Sequence, residues 1–527
     1  GEQGASMQRS DMLAELRDRR EPWDLVVVGG GATGLGVAVD AASRGYEVCL
    51  LERSDFAKGT SSRSTKLVHG GVRYLQQGNV SLVMEALRER GRLLRNAPHI
   101  VGDLGFIVPS YEWWETPWYG IGMKVYDTLA GRYGFGKSRS LSNREVAEAI
   151  PAISREGLRG GTRYYDGQFD DARLAINLAT TAAGQGATVV NYCGVVGIRK
   201  DVDGLVNGVT AEVSETGERL EVGAKAVINA TGPFADGVRK LDNPGAAEII
   251  QPSQGAHVVL DRSFLAGDSA IMVPHTSDGR VMFAIPWHGV CVVGTTDIPL
   301  ESVAEEPTPT AAEVDFILET ANRYLARPAA RSDVKSVFAG IRPLVKKGGE
   351  GSTASISRDH SLVIDQSSGL ITIAGGKWTT YRRMAEEVVD NAATLADLEP
   401  RRCVTREMPI HGFHSRASRF GPLAHYGSDA NQIRAIAKGD ARLGERIHPS
   451  LPTIGAEVVW ACREEMARTV EDVLSRRTRC LLFDARASIE AAPATAGLMR
   501  EVLGFGAGWA SEQVESFGRL AAGYVVG

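Results

Sequence analysis

The feature that most constrains the fold is an apolar segment that runs directly into a glycine-rich turn. Residues 24–34 read Asp-Leu-Val-Val-Val-Gly-Gly-Gly-Ala-Thr-Gly, and an acidic residue, Glu52, follows a second apolar run at residues 46–51. This order predicts a strand, a tight turn, a helix that begins near Ala32, and a second strand. Such a unit is typical of dinucleotide-binding domains, in which the helix N-terminus faces a pyrophosphate.

Each glycine of this turn has a separate predicted task. Gly29 permits the tight turn, Gly31 lets the backbone approach the pyrophosphate, and Gly34 lets the helix pack closely on the strand. Glu52 is expected to accept hydrogen bonds from the adenosine ribose hydroxyls. The motif alone does not distinguish a flavin from a nicotinamide cofactor.

Length and composition narrow the class of protein. A chain of 527 residues is too long for one core, so two or three domains are expected. The net charge of −5 gives no general reason to expect a nucleic-acid partner. Six cysteines without a C-x-x-C pair predict reduced thiols and no metal site. No apolar run is long enough to predict a transmembrane helix.

Three separated segments carry signals of the nucleotide domain. They are residues 24–71, the strand and turn at 226–232, and the strand and turn at 370–381. We expect Gly232 and Gly376, which lie in the second and third turns, to contact the cofactor. A nucleotide domain that is interrupted twice suits a flavoprotein whose substrate domain lies between the segments.

The intervening and C-terminal residues differ in pattern. Short β-favouring runs at residues 257–260, 280–285 and 290–294 predict an antiparallel sheet that forms the wall of a substrate cavity. From residue 425 to 524 the apolar residues recur at helical spacing, which predicts a helical C-terminal domain. Examples are Val458, Cys462, Met466, Val470 and Leu474.

A polar segment at residues 60–74 directly follows the predicted ribose-binding acid. Polarity alone favours a solvated loop, but a loop at this point of the chain can run back along the cofactor. It would place Thr60, Ser61 and Ser62 near the phosphates, and His69 and Arg73 near the reactive ring.

Eight sequence blocks together resemble the family of FAD-dependent glycerol-3-phosphate dehydrogenases. The blocks are residues 29–34, 60–74, 170–174, 229–233, 285–287, 294–297, 340–344 and 375–382. They occur in the family's order and cover about residues 24–384, with a weaker helical similarity to the end. The resemblance implies an α/β fold with a glutathione-reductase-like FAD-binding Rossmann domain, an interposed, mainly antiparallel β substrate domain, and a helical C-terminal domain.

The resemblance also implies a division of the chain. Residues 1–23 form an N-terminal extension, 24–399 an FAD-dependent oxidoreductase region, and 400–527 the helical C-terminal domain. FAD-binding parts of the middle region are expected at about residues 24–75, 150–235 and 340–395, with substrate-domain parts between them.

The activity implied is oxidation of sn-glycerol 3-phosphate to dihydroxyacetone phosphate, with electrons passing from FAD to a membrane quinone. The substrate phosphate needs fixed cations and hydroxyl donors. The residues matching the family's substrate site are Arg73, Tyr74, Arg358 and Lys377. Lys377 has a second interpretation, because the helix that follows it could instead favour negative charge on the flavin pyrimidine.

Hydride transfer from C2 also needs a base for the hydroxyl proton and a cation for the developing alkoxide. By resemblance, His69 and His257 are the candidate bases and Arg342 is the candidate alkoxide stabiliser. A lone histidine at the start of a strand is often structural, and the sequence leaves open which histidine is the base.

Membrane contact is expected for a quinone-reducing enzyme. Trp113, Trp114 and Trp118, with four arginines at positions 88, 90, 92 and 95, could form a peripheral membrane surface. The alternative is a core cluster beside an exposed helix. We expect a cytoplasmic protein associated peripherally with the inner face of the cell membrane, and the resemblance is compatible with a homodimer.

Three alternatives are weighed against this interpretation. A soluble glycerol-3-phosphate oxidase would share the motifs but pass electrons to oxygen and release peroxide. A nicotinamide-dependent dehydrogenase would need an uninterrupted nucleotide domain, which the turns at Gly232 and Gly376 contradict. A non-enzymatic flavin scaffold would not need His69, Arg342 and Lys377.

Overall fold

The computed structural model of the chain describes residues 7–71, 80–112, 115–131, 134, 136–274, 276, 280–346, 356–357 and 360–527. Within these residues, two large β-sheets face a common cavity and a set of helices follows them in the chain. No described helix combines the length and the apolar character that crossing a membrane would require.

The first sheet is the predicted nucleotide-binding sheet. Its strands lie in the spatial order His360–Ile364, Ile371–Gly375, Glu218–Asn229, Trp23–Val28, Val48–Leu51 and Thr188–Val190, and Cys193–Lys200 and Val206–Val213 extend from Glu218–Asn229. The pairs around Trp23–Val28 are parallel. The helix Ala32–Ser43 packs against Asp171–Gly184 and Tyr381–Leu395. Parallel strands covered by helices are the architecture that the sequence predicts for residues 24–51.

The second sheet is mainly antiparallel, as predicted. Its main path runs through Ile356–Ser357, Val334–Lys346, Ile250–Asp261, Val290–Gly294, Met282–Trp287, Ser269–Val273, Val101–Ser110, Gly160–Phe169 and Leu67–Val68. Ile298–Pro299 and Arg139–Ser142 pair at its sides. One pair on this path, Ser269–Val273 with Val101–Ser110, is parallel.

The remaining helices surround the sheets and form the C-terminal part of the chain. They are Arg9–Asp18, Val80–Asn96, Glu115–Ala130, Asn143–Ala149, Ala235–Asp242, Ala311–Asn322, Ala430–Gly439, Gly455–Glu464, Cys480–Phe483, Ala485–Leu503 and Ala507–Ala522.

The predicted helical C-terminal domain is present, but one of its periodic runs is interrupted. Val458 and Cys462 lie in the helix Gly455–Glu464, whereas Met466 lies beyond its end with a φ of 54°. The next helical turn, Asp472–Arg477, is a short π-helix. All five residues of the run are buried, as their apolar spacing predicts. They do not, however, lie in one continuous helix.

Candidate functional site

A cavity of about 880 Å³ lies between the two sheets. One side is lined by the carboxyl ends of first-sheet strands, including Val28, Gly29 and Glu52, and the other side by second-sheet residues, including His257 and Arg342. The strands of a parallel sheet bind ligands at their carboxyl ends, so this position fits the predicted cofactor site.

The glycine turn has the geometry that the sequence predicts. Gly29 has a φ of +110°, and a Cβ there would lie 2.6 Å from the carbonyl oxygen of Ala230. A Cβ on Gly34 would lie 1.9 Å from the Gly29 oxygen, although Gly34 itself does not line the cavity. Any side chain at Gly29 or Gly34 would therefore displace the turn or the helix that faces the cavity.

The Glu52 carboxylate borders the cavity near the glycine turn, and backbone N–H groups hold it there by hydrogen bonds. Its two oxygens accept hydrogen bonds from the N–H groups of Gly30 and Ser54, each at 2.7 Å. Burial raises the pKa of the Glu52 carboxyl, and these two bonds oppose that effect. Each carboxylate oxygen has a second lone pair, so the group can also accept bonds from a ribose.

The segment after Glu52 follows the cavity wall at Thr60 and Ser61, and their contact with the cofactor phosphates stays a prediction. Ser61 Oγ accepts a hydrogen bond from the N–H of Ala32 at 2.8 Å, and Thr60 Oγ1 donates to the Ile341 carbonyl at 2.6 Å. Both residues line the cavity, whereas Ser62 does not. The Ser62 carbonyl instead accepts from Lys66 and Arg479, so the structure gives no support to its predicted phosphate contact.

Four further predicted residues line the same cavity: His69, Gly232, Gly376 and Lys377. The His69 N–H donates to Thr379 Oγ1 at 3.1 Å. Lys377 precedes the turn Trp378–Thr380, which leads into the helix Tyr381–Leu395. Three separated segments of the chain therefore converge on one site.

Arg342 is held at the cavity by a loop that the sequence reasoning did not single out for a role. Its guanidinium donates to the Thr296 carbonyl at 3.0 Å and to Thr295 Oγ1 at 3.2 Å, and it pairs with Asp297 Oδ1 at 3.2 Å. The only sequence signal for this loop is the block at residues 294–297. About 29% of the Arg342 side chain is exposed, so the group is accessible from the cavity.

His257 lies on the same wall and is almost completely buried. Its Nε2 is 2.9 Å from Thr65 Oγ1, and its ring stacks on Phe338 with centroids 4.6 Å apart. Burial holds the pKa of His257 well below its usual value, and the charges of Lys66 and Arg342 act in the same direction. A neutral imidazole can accept a proton. The sequence analysis gave Thr65 and Phe338 no part in this arrangement.

Three predicted substrate residues, Arg73, Tyr74 and Arg358, lie outside the residues that the structure describes. Their placement at the phosphate stays a prediction.

One end of the cavity is apolar. Phe106, Tyr164 and Met272 are buried there, and the Phe106 ring stacks on Tyr164 with centroids 5.2 Å apart. Phe283 meets Phe106 edge to face at 5.7 Å. These side chains give this part of the cavity an apolar surface, although Asp166 and Arg280 also line the cavity.

Comparisons with known proteins show the family of the chain. A family model described as FAD dependent oxidoreductase matches residues 24–382, and one described as the C-terminal domain of alpha-glycerophosphate oxidase matches residues 371–513. Human mitochondrial glycerol-3-phosphate dehydrogenase is 40% identical over 543 residues, which cover 96% of this chain and 74% of the human protein. A mitochondrial glycerol-3-phosphate dehydrogenase of Arabidopsis thaliana is 40% identical over 529 residues, with 92% and 83% covered.

Solved structures give the same fold. The glycerol-3-phosphate dehydrogenase from Bacillus halodurans complexed with FAD has a TM-score of 0.79 at 28% identity and covers 99% of this chain and 98% of its own. An L-alpha-glycerophosphate oxidase from Mycoplasma pneumoniae has a TM-score of 0.55 at 18% identity, covering 74% and 98%, which indicates the fold alone. The predicted fold class and the predicted cofactor, FAD, are confirmed.

Proposed function

Because this chain belongs to the family of FAD-dependent glycerol-3-phosphate dehydrogenases, we propose that it oxidises sn-glycerol 3-phosphate to dihydroxyacetone phosphate. The observation that carries the proposal is the meeting of the dinucleotide turn, His257 and Arg342 in one cavity. When bound, FAD supplies the hydride acceptor.

In this proposal His257 is the base. Its neutral ring accepts the proton of the C2 hydroxyl at Nε2, in place of the present contact with Thr65. Arg342 donates to the C2 oxygen as negative charge develops there. Its bonds to Thr296 and Asp297 fix the guanidinium before substrate binds, and fixed donors are the most effective stabilisers of developing charge. His69, which also lines the cavity, is the alternative base.

Lys377 is proposed as a cation for the substrate phosphate, together with Arg73, Tyr74 and Arg358 of the undescribed segments. It borders the same cavity as His257 and Arg342, so a phosphate bound there would be near the reacting carbon. The alternative role at the flavin pyrimidine predicts a different effect of Lys377→Met: the flavin reduction potential would fall, whereas a phosphate contact would raise the KM for glycerol 3-phosphate.

A membrane quinone is proposed as the electron acceptor. The apolar end of the cavity, with Phe106, Met272 and Phe283, would accommodate a quinone ring. The helix Glu115–Ala130 packs beside this end, where Tyr126 contacts the ring of Tyr164. Isoprenoid quinones reside in the bilayer, so this helix is the proposed point of membrane contact.

The exposed face of that helix supports the proposal. Ile121 is 67% exposed and Val125 is 45% exposed, and because they are one turn apart they lie on the same side of the helix. The three tryptophans that the sequence analysis assigned to this surface lie outside the described part or have undescribed side chains. We propose a peripheral association with the cytoplasmic face of the membrane; a homodimer stays a prediction.

The proposed basic helix needs a correction at one position. In the helix Val80–Asn96, Arg88 and Arg95 are exposed, but Arg90 is buried and pairs with Asp166 at 2.7 Å. Arg90 therefore belongs to the core beneath the cavity and cannot contact a lipid surface.

An oxygen-dependent glycerol-3-phosphate oxidase is the second candidate function. It is favoured by the match of residues 371–513 to the C-terminal domain of alpha-glycerophosphate oxidase. The two candidates share the first half-reaction and differ only in what reoxidises the flavin.

An anaerobic single turnover tests the first half-reaction. We expect glycerol 3-phosphate to bleach the flavin absorbance at about 450 nm. Glycerol, which lacks the phosphate, should bleach it far more slowly. A flavin that glycerol 3-phosphate leaves fully oxidised would overturn the proposed function.

A further inference from the structure

A buried ammonium group lies behind the cavity wall that carries His257. Lys66 has no exposed side-chain surface, and its Nζ donates to the Ser62 carbonyl at 2.9 Å and to Asp171 Oδ2 at 2.8 Å. Burying a charged lysine costs free energy even when it is paired. The proposed reaction gives this lysine no task, so its position calls for another explanation.

One aromatic ring, Phe338, contacts both this ammonium and the imidazole. Lys66 Nζ lies 4.8 Å from the centroid of the Phe338 ring, and that ring stacks on His257 with an angle of 6° between the planes. Strand pairing fixes the stack, since His257 and Phe338 are opposite each other in the strands Ile250–Asp261 and Val334–Lys346. Both groups are buried against this ring, away from water, so the positive charge acts on the imidazole.

The charged groups around the imidazole come from several elements: Lys66, Asp171, Arg342, Asp297 and Arg479. Lys66 and Arg342 both disfavour protonation of His257, and Asp171 opposes them. Asp171 is itself bound by Arg479 at 2.6 Å, so its negative charge is shared between two cations.

Lys66 carries its positive charge in the pH range in which that charge can affect protonation of His257. Burial lowers the pKa of Lys66 to about 7, against the opposing charge of Asp171. The group is therefore cationic at acidic pH, which is where an ordinary histidine becomes protonated.

We propose that Lys66 is a positioning residue that keeps the His257 imidazole uncharged, so that Nε2 can accept a proton from the substrate. The inference rests on the proposed role of His257 as base. In that step the hydroxyl proton passes to Nε2, the C2–O bond becomes a carbonyl, and the C2 hydrogen leaves with the bonding electron pair as a hydride, which FAD would accept when bound. The same ammonium then favours loss of the proton from His257, which prepares the next turnover.

Lys66→Met tests the inference because it removes the charge and keeps the length of the side chain. Asp171 would retain its bonds from Ser64 and Arg479, both at 2.6 Å, so the variant leaves no carboxylate unpaired. The measurement is the limiting rate of anaerobic flavin reduction as a function of pH. We expect the acid limb, the fall in rate towards low pH, to move up by about one pH unit, the usual effect of a unit charge within roughly 10 Å in a protein interior.

The double variant Lys66→Met/Asp171→Asn is the matched control. It removes one positive and one negative charge, so its acid limb should return towards that of the wild type. Loss of packing alone would lower the rate equally at every pH and would not be reversed by the second substitution. An unmoved acid limb in Lys66→Met, with FAD bound, overturns the inference.

The wild-type protein provides a test that does not depend on the folding of a variant. Its limiting rate should stay nearly constant from pH 8 down to about 6, since His257 remains neutral there. Suppose instead that the wild-type rate falls at a pH near the ordinary pKa of histidine and that this fall disappears in His257→Gln. That result would overturn the inference about Lys66 but not the role of His257 as base. A His257→Gln variant with an unchanged limiting rate would instead remove His257 as the proposed base.

Discussion

The guanidinium of Arg342, in the strand Val334–Lys346, pairs at 3.2 Å with Asp297, which lies in the loop after the strand Val290–Gly294. Asp297 also accepts a hydrogen bond from the Ser253 hydroxyl, on the strand next to that of Arg342. The arginine is therefore fixed from two directions before any substrate binds. A fixed cation can stabilise charge in a transition state without the cost of reorganisation.

Arg342→Ala is expected to lower the rate of flavin reduction by about 10² to 10³-fold, the usual effect of removing one such donor. FAD should remain bound, because the glycine turn and Glu52 are distant in the chain and lie on the other sheet. Stopped-flow reduction by glycerol 3-phosphate measures the effect. A reduction rate near that of the wild type would exclude Arg342 as the alkoxide stabiliser.

Glu52→Ala is expected to weaken FAD binding without removing a substrate contact. The substitution also leaves the N–H groups of Gly30 and Ser54 without their partner, so part of the loss would come from the turn itself. Glu52→Gln is the matched variant, since its amide oxygen can accept one of the two bonds. Titration of the apoprotein with FAD should rank affinity as wild type, Glu52→Gln, Glu52→Ala; equal affinities would contradict the assignment.

Stability should fall in acid because of His99. Burial lowers the pKa of His99 to about 4, whereas the ring in the unfolded chain titrates at about 6.5. The unfolded state therefore binds a proton first, and stability present above pH 6.5 is lost as the pH falls towards 4. The loss attributable to this group is about 3 kcal/mol.

Denaturant unfolding of the wild type and His99→Gln at several pH values checks this prediction. In the native protein the His99 Nε2 lies 3.0 Å from the amide nitrogen of Asn177, and a glutamine oxygen can accept that bond. The free energy of unfolding should depend less on pH in the variant. If the free energy of unfolding changes with pH equally in the wild type and in His99→Gln, His99 does not contribute to the loss of stability in acid.

The parts of the site that the sequence predicts are those built from local signals. Gly29, Gly34 and Glu52 lie within one strand–turn–helix–strand unit, so their spacing alone fixes their relation to each other. The wall behind His257 is different, because Lys66 pairs with Asp171 across 105 positions of the chain. Arg479 donates to the Ser62 carbonyl across 417 positions. Pairing over such separations leaves no periodic signal.

Local signals also fail where tertiary contacts override them. The arginine-rich helix at residues 80–96 reads as exposed, yet Arg90 is buried because Asp166 of a neighbouring strand supplies its partner. In the same way Ser62 looks like a phosphate ligand in a polar loop. Its carbonyl accepts from Lys66 and Arg479, and the residue does not line the cavity.

Membrane binding should depend on the exposed face of the helix Glu115–Ala130. The double substitution Ile121→Glu/Val125→Glu replaces two exposed aliphatic side chains by charges and should reduce binding to phospholipid vesicles by at least about tenfold. Val202→Glu is the control, since Val202 is fully exposed at a turn of the first sheet. Flotation with vesicles measures binding. An equal loss of vesicle binding in the double variant and in Val202→Glu would contradict a specific role of the helix.

The electron acceptor decides between the two proposed activities. Oxygen needs only access to the reduced flavin, so some peroxide is expected from either enzyme. A quinone needs an apolar binding surface, which Phe106, Met272 and Phe283 provide at one end of the cavity. Steady-state turnover with a soluble quinone analogue should therefore greatly exceed peroxide production in air.

A polar substitution at the apolar end sharpens this test. Phe283→Asn should lower the rate with the quinone analogue, because it places an amide where an apolar ring would bind. It should leave anaerobic reduction by glycerol 3-phosphate nearly unchanged, since that half-reaction uses His257 and Arg342. If peroxide accounts for most of the turnover and the quinone analogue adds nothing, the protein is an oxidase and the apolar end has another occupant.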